Sequence, residues 1–360
     1  MEKKVRIGVI GCGNIALGKY MPAYSVNPKA EIAAFCDVVE ERAMNAREKY
    51  GSETCAVYTD YKELLKDQEI DAVLVLTPNC AHCQITVDAL DAGKHVMCEK
   101  PMAMNYAEAQ QMIAARDRSG KILTIGYQNR YRRDALYLKQ LVQQDTFGEI
   151  YYAEAIAVRR RGVPTWGVFI DKEKQGGGPL IDIGTHALDL TLFMMNNYEP
   201  AYCVGKTFHK LNKQTQTGNW WGDWDTEKFT AEDSAFGFIV MKNGAVVYLK
   251  SSWALNIADP IEAVTTICGE KGGADMLEGL RINTVMNGKQ VMIKPDLTSS
   301  AVAFNGIQST KPDEIEAETF LKAVLGQGEL YVTADQAAVV THILEAIYTS
   351  SETGKPYYFN

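Results

Sequence analysis

Residues 5–16 constrain the fold of this chain more than any other stretch. A short apolar strand runs straight into Gly11-Cys12-Gly13-Asn14-Ile15-Ala16, and Asp37 closes the next apolar run 21 residues after Ala16. In such a strand, turn and helix, the first glycine supplies backbone angles closed to other residues. The second lets the main chain approach a pyrophosphate, and small Ala16 lets the following helix pack against the strand. The helix N-terminus at Asn14 and Ile15 turns N–H groups and a positive dipole toward phosphate. An acidic residue about 20 positions on is where a ribose ligand belongs. The pattern predicts dinucleotide binding, against the plainer alternative of a tight glycine turn with no ligand. Asp37 can accept from both ribose hydroxyls, whereas a 2′-phosphate meets its negative charge, and Val38-Val39 bring no arginine to compensate. NAD is therefore favoured over NADP.

Composition narrows the class further. At 360 residues, 46% hydrophobic and 23% charged, the chain is long enough for two packed cores. A net charge of −8 argues against nucleic acid or an anionic membrane as the main partner, and the one basic run, Arg159-Arg160-Arg161, is short. No apolar stretch reaches the length of a membrane span, and Met1-Glu2-Lys3-Lys4 leads into a strand and not into an apolar leader core, so the expected location is the cytoplasm. Eight scattered cysteines suit free thiols in a reducing compartment better than a disulfide framework. Cys80-Ala81-His82-Cys83 has the spacing of a metal or redox pair. No second ligand pair accompanies it, so a local turn is preferred and no metal site is expected.

Along the chain, apolar Val- and Ile-rich runs near residues 5–10, 31–36, 55–58, 72–76, 95–98 and 122–125 alternate with helix-length amphipathic segments at 14–25, 40–50, 61–65, 81–92 and 106–119. That alternation predicts an α/β Rossmann domain, a doubly wound parallel sheet, over residues 1–125. After Gly126 the texture changes to a helix at 132–144, a long strand at 149–158, a glycine break and a helix from Pro179. Thereafter strands dominate, with a hairpin at Asn243-Gly244. Residues 126–333 are expected to form an α+β substrate and oligomerisation domain with a large, open, mostly antiparallel sheet. A final helix at 334–350 is expected to pack near the first domain.

Two clusters carry chemistry. Glu99-Lys100-Pro101 follows a strand at the carboxyl edge of the parallel sheet, where such sheets bind ligands. Lysine before proline is held extended, and a cis X–Pro bond is open to it at modest cost. A strand-end ion pair between Glu99 and Lys100 accounts for the same residues equally well. Further on, Pro179 reads as a first helical residue, which sets Asp182 and His186 one turn apart on one face. Histidine titrates near neutrality and can take or return a hydroxyl proton, with the carboxylate orienting it. The alternative is a helix-dipole role for Asp182 and a core role for His186. Trp166, after the arginine run, is a candidate for contact with a nicotinamide or a sugar face. Trp220, Trp221 and Trp224 sit in a polar loop of the kind ring-shaped sugars favour. Loop packing or a subunit contact would explain both equally well.

The glycine turn, Asp37, Thr77-Pro78-Asn79, Glu99-Lys100-Pro101 and the Asp182-to-His186 segment together resemble the family of glucose–fructose oxidoreductase, inositol dehydrogenase and rhizopine catabolism protein (Gfo/Idh/MocA). The resemblance covers essentially the whole chain, including Asp233-Ser234, the Asn243-Gly244 hairpin, Ser252-Trp253 and the closing segment 333–356. It implies hydride transfer between a nicotinamide and a carbon bearing a secondary hydroxyl, usually on a sugar or cyclic polyol. The family's lysine, aspartate and histidine fall on Lys100, Asp182 and His186. His186 is then the general acid/base, Lys100 stabilises the developing alkoxide, and Asp182 positions the hydroxyl or the imidazole. Thr77, Asn79, His82, Glu99 and Lys100 match positions that line the cofactor, and a homodimer or homotetramer is implied. Two other activities occur among such relatives: glycoside hydrolysis through transient oxidation by held NAD, and dinucleotide-dependent regulation without turnover. A regulator is expected to have lost the lysine or the histidine, and this chain keeps both.

Overall fold

A computed structural model describes residues 3–297 and 311–359. Met1 and Glu2, read above as the lead into the first strand, and residues 298–310 of the expected second domain lie outside the described residues. The described chain divides into two units.

The first unit is built on six parallel strands: β1 (Val5–Ile10), β2 (Ala30–Cys36), β3 (Ala56–Tyr58), β4 (Ala72–Val75), β5 (His95–Cys98) and β6 (Leu123–Ile125), in the spatial order β3-β2-β1-β4-β5-β6. The central strands are short and apolar because both faces are covered; every residue of β4 is buried. The core joins Ile7, Val9, Phe35 and Leu74 to Ala317, Phe320 and Leu321. Those last three come from the helix Pro312–Val324, which the sequence pattern did not mark. Local signals fix the helix ends. Asn105 accepts from Glu108 N at 2.9 Å to start Tyr106–Ser119, and left-handed Gly120 stops it. One departure lies next to the glycine turn, where the expected α-helix opens as a π-turn over Ala16–Tyr20 before becoming α at Met21–Ser25.

The second unit holds a nine-stranded sheet: β7 (Ile150–Val158), β8 (Pro200–Phe208), β9 (Ser234–Met241), β10 (Val246–Ser252), β11 (Ile261–Gly269), β12 (Gly273–Asp275), β13 (Arg281–Met286), β14 (Lys289–Ile293) and β15 (Tyr357–Tyr358). The order is β14-β13-β12-β11-β7-β10-β9-β8-β15, antiparallel except where β7 and β10 run parallel. The predicted hairpin joins β9 to β10, with Gly244 at φ +88°. Against this sheet lies the segment 180–195, a π-turn over Leu180–Gly184 continuing as α-helix Thr185–Met195. Every residue of the α-helical part is buried, which suits its run of leucine, methionine and phenylalanine. Lys139 Nζ donates to Phe193 O at 2.6 Å near its C-terminus, where the helix dipole favours a cation.

The division of the chain differs from the expected one. The helix Pro312–Val324 and the chain to Ala338 join the first unit, because Phe320 and Leu321 complete its core. The last helix, Ala334–Thr353, is divided: its first turn, to Ala338, belongs to the first unit, where Asp335 accepts from Arg116, and from Val339 onward it belongs to the second. The reason is a slot in the sheet. Gly205 and Gly237 face each other across β8 and β9, and a Cβ on either would stand 2.6 Å from the Ile347 side chain. Ser350 Oγ also accepts from Gly205 N at 3.0 Å. Among the described residues no helix is long and apolar enough to cross a membrane.

Gly205→Ala therefore forces the last helix off its sheet, because the nearest obstacles include the Ile347 main chain at 2.8 Å. Urea unfolding should show a loss of about 1–3 kcal/mol, the usual cost of overpacking. An unchanged midpoint would mean that the slot has slack.

Candidate active site

The first unit gathers its candidate residues at the carboxyl ends of β1, β2, β4 and β5. β1 lies between β2 and β4, so the chain leaving it must turn in a narrow gap. Gly11 makes that turn at φ +95°, donating its N–H to Cys36 O at 2.8 Å, and a Cβ there would stand 2.6 Å from Leu76 O. No other residue fits both the angle and the space. Asp37, 8% exposed, accepts from Cys12 N at 2.8 Å through Oδ2 and from Val39 N at 2.9 Å through Oδ1. The carboxylate is thus locked to the turn itself, with further acceptor positions on both oxygens. Burial and the Asp37 charge push the Cys12 thiol up to about 12, so it behaves as a small neutral filler.

These residues fit a dinucleotide. A Cβ on Gly13 would meet nothing within 4 Å, which leaves the main chain open to a ligand at the start of the helix. Ile15 and Val38 are exposed large apolar side chains beside the turn and beside Asp37. Thr77 Oγ1, just after β4, is buried with no hydrogen-bond partner among the described residues. Asn79 lies two residues further on, in the short turn Asn79–Ala81.

His82 is fully buried, its ring between Pro101 O (2.8 Å from Nδ1) and Thr77 O (2.9 Å from Nε2). Burial holds its pKa below the ordinary histidine value, so a neutral ring donates to one carbonyl and ties the loops after β4 and β5. Cys80 is exposed, while Cys83 is buried and bonded to Glu108 O at 3.5 Å, so the Cys80-to-Cys83 segment does not converge on a point. Among the described residues no group of three His, Cys, Asp or Glu side chains is placed to hold a metal.

The Lys100–Pro101 peptide is cis, as the sequence allowed. Glu99 is buried and accepts from Tyr20 OH at 3.2 Å, and Lys19 Nζ lies 3.6 Å from Oε1. Lys19 in turn pairs with Glu316 at 2.9 Å. Burial pulls the Lys19 ammonium down, but Glu316 and Glu99 outweigh it and hold the pKa above the ordinary lysine value. No local pattern marks this buried cluster, because Lys19 and Glu316 are far apart in sequence.

In the second unit, Asp182 accepts from Trp253 Nε1 at 2.9 Å, and the indole is fully buried. Trp253 follows Ser252 at the end of β10, where Ser234 Oγ, Ser252 Oγ and the Asp233 carboxylate form one polar group. His186, 9% exposed, lies on the same segment as Asp182. Because Leu180–Gly184 is a π-turn, the two residues are set by a wider turn than the 3.6-residue repeat assumed from sequence. Gly184 permits it; a Cβ there would stand 2.9 Å from Ser251 Oγ, which itself donates to Pro179 O at 2.8 Å.

A buried carboxylate holds the start of this segment. Glu232 accepts from Gly178 N at 2.8 Å, Leu180 N at 3.2 Å and Tyr348 OH at 2.8 Å. Burial pushes its pKa above the ordinary carboxylate value, and these donors pull it part of the way back. Gly177 and Gly178 are required beside it, since added Cβ atoms would fall 2.0 Å from Tyr348 OH and 2.2 Å from Glu232 O. Neither Glu232 nor Tyr348 was marked by sequence; the pair Glu232-Asp233 before a strand was the available signal. Lys100 belongs to the first unit, and Asp182, His186 and Trp166 to the second.

Tyr348→Phe removes one donor from a buried carboxylate and nothing else. Unfolding free energy should fall by roughly 1.5–3 kcal/mol, the range for hydrogen bonds to charged groups. A denaturation curve superimposable on that of the parent would show that the Glu232 clamp does not need the hydroxyl.

Comparison with known proteins agrees with the two-unit build. Residues 5–127 match the model of an oxidoreductase family with an NAD-binding Rossmann fold, and residues 135–275 match the GFO/IDH/MocA C-terminal domain. The chain is 34% identical over 350 residues to D-glucoside 3-dehydrogenase of Escherichia coli (strain K12), covering 97% of this chain and 96% of that one. Among solved structures, aldose-aldose oxidoreductase from Caulobacter crescentus complexed with glycerol superposes with TM-score 0.81 at 23% identity, over 99% of this chain and 100% of that one. Levoglucosan dehydrogenase in complex with NADH and levoglucosan gives TM-score 0.84 at 19% identity, over 99% of both chains. A Rossmann unit with its glycine turn, a mostly antiparallel second sheet and matches in both halves identify this chain as a member of the Gfo/Idh/MocA oxidoreductase family.

Proposed function

We propose that this chain is an NAD-dependent dehydrogenase that oxidises a secondary hydroxyl of a sugar or cyclic polyol, with a D-glucoside as the first substrate class to try. The observation that carries the reading is Asp37, a buried carboxylate locked to the main chain of the glycine turn in a chain that also keeps Asp182 and His186 on one buried segment. The 34% identity to a D-glucoside 3-dehydrogenase along nearly the whole chain supports the substrate class.

Gly11, Gly13, Asn14 and Ile15 would hold the pyrophosphate, and Asp37 the adenosine ribose. Asp37 favours NAD because its negative charge opposes a 2′-phosphate. Thr77, Asn79, Glu99, Lys100 and Trp166 complete the cofactor surroundings, and His82, fully buried, acts through the loops it ties. Bound NAD supplies the hydride acceptor. His186 takes the hydroxyl proton as the hydride leaves, a task that suits an imidazole near neutral pH. The Lys100 ammonium donates a hydrogen bond to the developing alkoxide. Asp182, whose Oδ2 accepts from Trp253 Nε1, orients the hydroxyl or the imidazole. A homo-oligomer working in the cytoplasm completes the proposal.

His186→Ala should lower kcat about 10²- to 10⁴-fold, the range for loss of a general acid/base, while NAD affinity stays nearly constant. Turnover within a few-fold of the parent would remove His186 from the role. Asp37→Ala should weaken NAD and narrow the preference for NAD over NADP, read as the ratio of kcat/KM for the two cofactors. An unchanged ratio would contradict the ribose contact.

A further inference from the structure

The second unit carries three large aromatic side chains that are both exposed and in mutual contact. Of the five tryptophans, Trp224 and Trp253 are buried, whereas Trp166, Trp220 and Trp221 are 46%, 55% and 42% exposed. Trp221 stands edge to face with Trp166 (centroids 4.9 Å, 86°) and with Trp220 (5.9 Å, 84°). Exposed apolar side chains are ordinary when scattered singly; a contiguous aromatic group marks a binding surface.

The frame beneath the rings is rigid. The Asn219 side chain accepts from Val163 N at 2.8 Å and donates to Val163 O at 3.0 Å and Gly222 O at 2.8 Å. Thr165 Oγ1 donates to Trp221 O at 2.8 Å, and Trp220 N donates to Arg161 O at 3.1 Å. Two loops distant in sequence are thereby stapled together, so the rings are held out without the entropy cost of ordering them at binding.

The cluster is joined to Asp182 through Gly162 and Trp253. Trp253, whose Nε1 donates to Asp182, accepts from Gly162 N at 2.8 Å through its carbonyl. Gly162 is the seat of Trp220; a Cβ there would stand 3.1 Å from that ring and 2.5 Å from Arg159 Cδ. The Arg159 guanidinium lies 5.5 Å from the Trp221 centroid and is paired with Glu262. Burial pulls its pKa down, and Glu262 with Asp182 raises it above the ordinary arginine value, so it stays a cation. With Arg159 paired to Glu262 and the Arg161 guanidinium turned onto Thr217 O, Arg160 O and Asn256 Oδ1, the platform presents mainly aromatic faces, which suits a neutral ligand.

We infer that Trp220 and Trp221, braced by Trp166, form a second sugar subsite, which takes the ring of a glycoside that is not oxidised while Asp182 and His186 act on its neighbour. A pyranose has an apolar C–H face for an indole, and Asn219 Oδ1 keeps one acceptor position for a sugar hydroxyl. The inference rests on the glycoside reading above and deepens it.

The test compares the full-length parent, Trp221→Ala and Trp221→Phe on matched one-ring and two-ring substrates, methyl β-D-glucopyranoside with cellobiose and methyl α-D-glucopyranoside with maltose. Tryptophan fluorescence is titrated with the same sugars in the presence of NAD, which needs no turnover. Trp221→Ala should lower kcat/KM for a disaccharide about tenfold, the scale of one aromatic contact, leave the matching methyl glycoside within about threefold, and lose the disaccharide-induced fluorescence change. Trp221→Phe should restore most of the difference. An equal fall for both ring counts, no fall for either, or a changed subunit number in Trp221→Ala would overturn the subsite, the last by making the cluster an interface between copies of this chain. A parent that binds disaccharide through Trp221 yet reduces no NAD would leave the subsite standing and remove the dehydrogenase reading. A parent that shows neither response with any pair would remove both.

Discussion

The gap between β2 and β4 through which the chain leaves β1 is the constraint on which the first unit depends. With Gly11 N bonded to Cys36 O and Leu76 O standing where a Cβ would be, the turn tolerates a single residue type and a single path. That path sets the direction of the following helix, brings Cys12 N onto Asp37 and leaves Gly13 open at the carboxyl edge of the sheet. The strand order reverses about β1 and β4, the place where open parallel sheets bind their ligands. Loss of that one glycine would disturb the fold and the candidate cofactor site together.

The second unit solves a related problem with the opposite means. Its candidate acid/base segment is almost wholly buried and starts at a π-turn, so neither a solvated face nor a standard first turn holds its beginning in place. A buried carboxylate, Glu232, does so instead, bridging two N–H groups of that segment and a tyrosine of the last helix. The last helix is itself seated by the paired glycines of β8 and β9. Small residues at Gly177, Gly178, Gly205 and Gly237 thus let three elements approach closely enough for one side chain to join them.

Much of this was legible in the sequence because its causes are local. Strand and helix alternation gave the parallel sheet, and the Asn243-Gly244 turn gave the β9–β10 hairpin. The cis bond at Lys100–Pro101 was open to that residue pair, and the fold selects it. What escaped had causes spread along the chain. The π-turns have no periodicity of their own, the Lys19–Glu316 pair joins the two ends of the chain, and the place of the last helix is decided by glycines more than a hundred residues earlier. Trp253 was visible only as part of a family pattern; its donation to Asp182 needed the fold. The Gfo/Idh/MocA resemblance proved right for the family.

The most direct measurement is NADH absorbance at alkaline pH as the purified protein and NAD meet sugars, glycosides, anhydrosugars, sugar acids and inositols, with product analysis of the same samples. The account predicts free NADH and a keto product with one of these classes, glycosides first. Glycoside cleavage without net NADH would contradict the dehydrogenase claim in favour of hydrolysis through transient oxidation, and NAD binding with no product from any class would contradict the claim that this chain turns over a sugar hydroxyl.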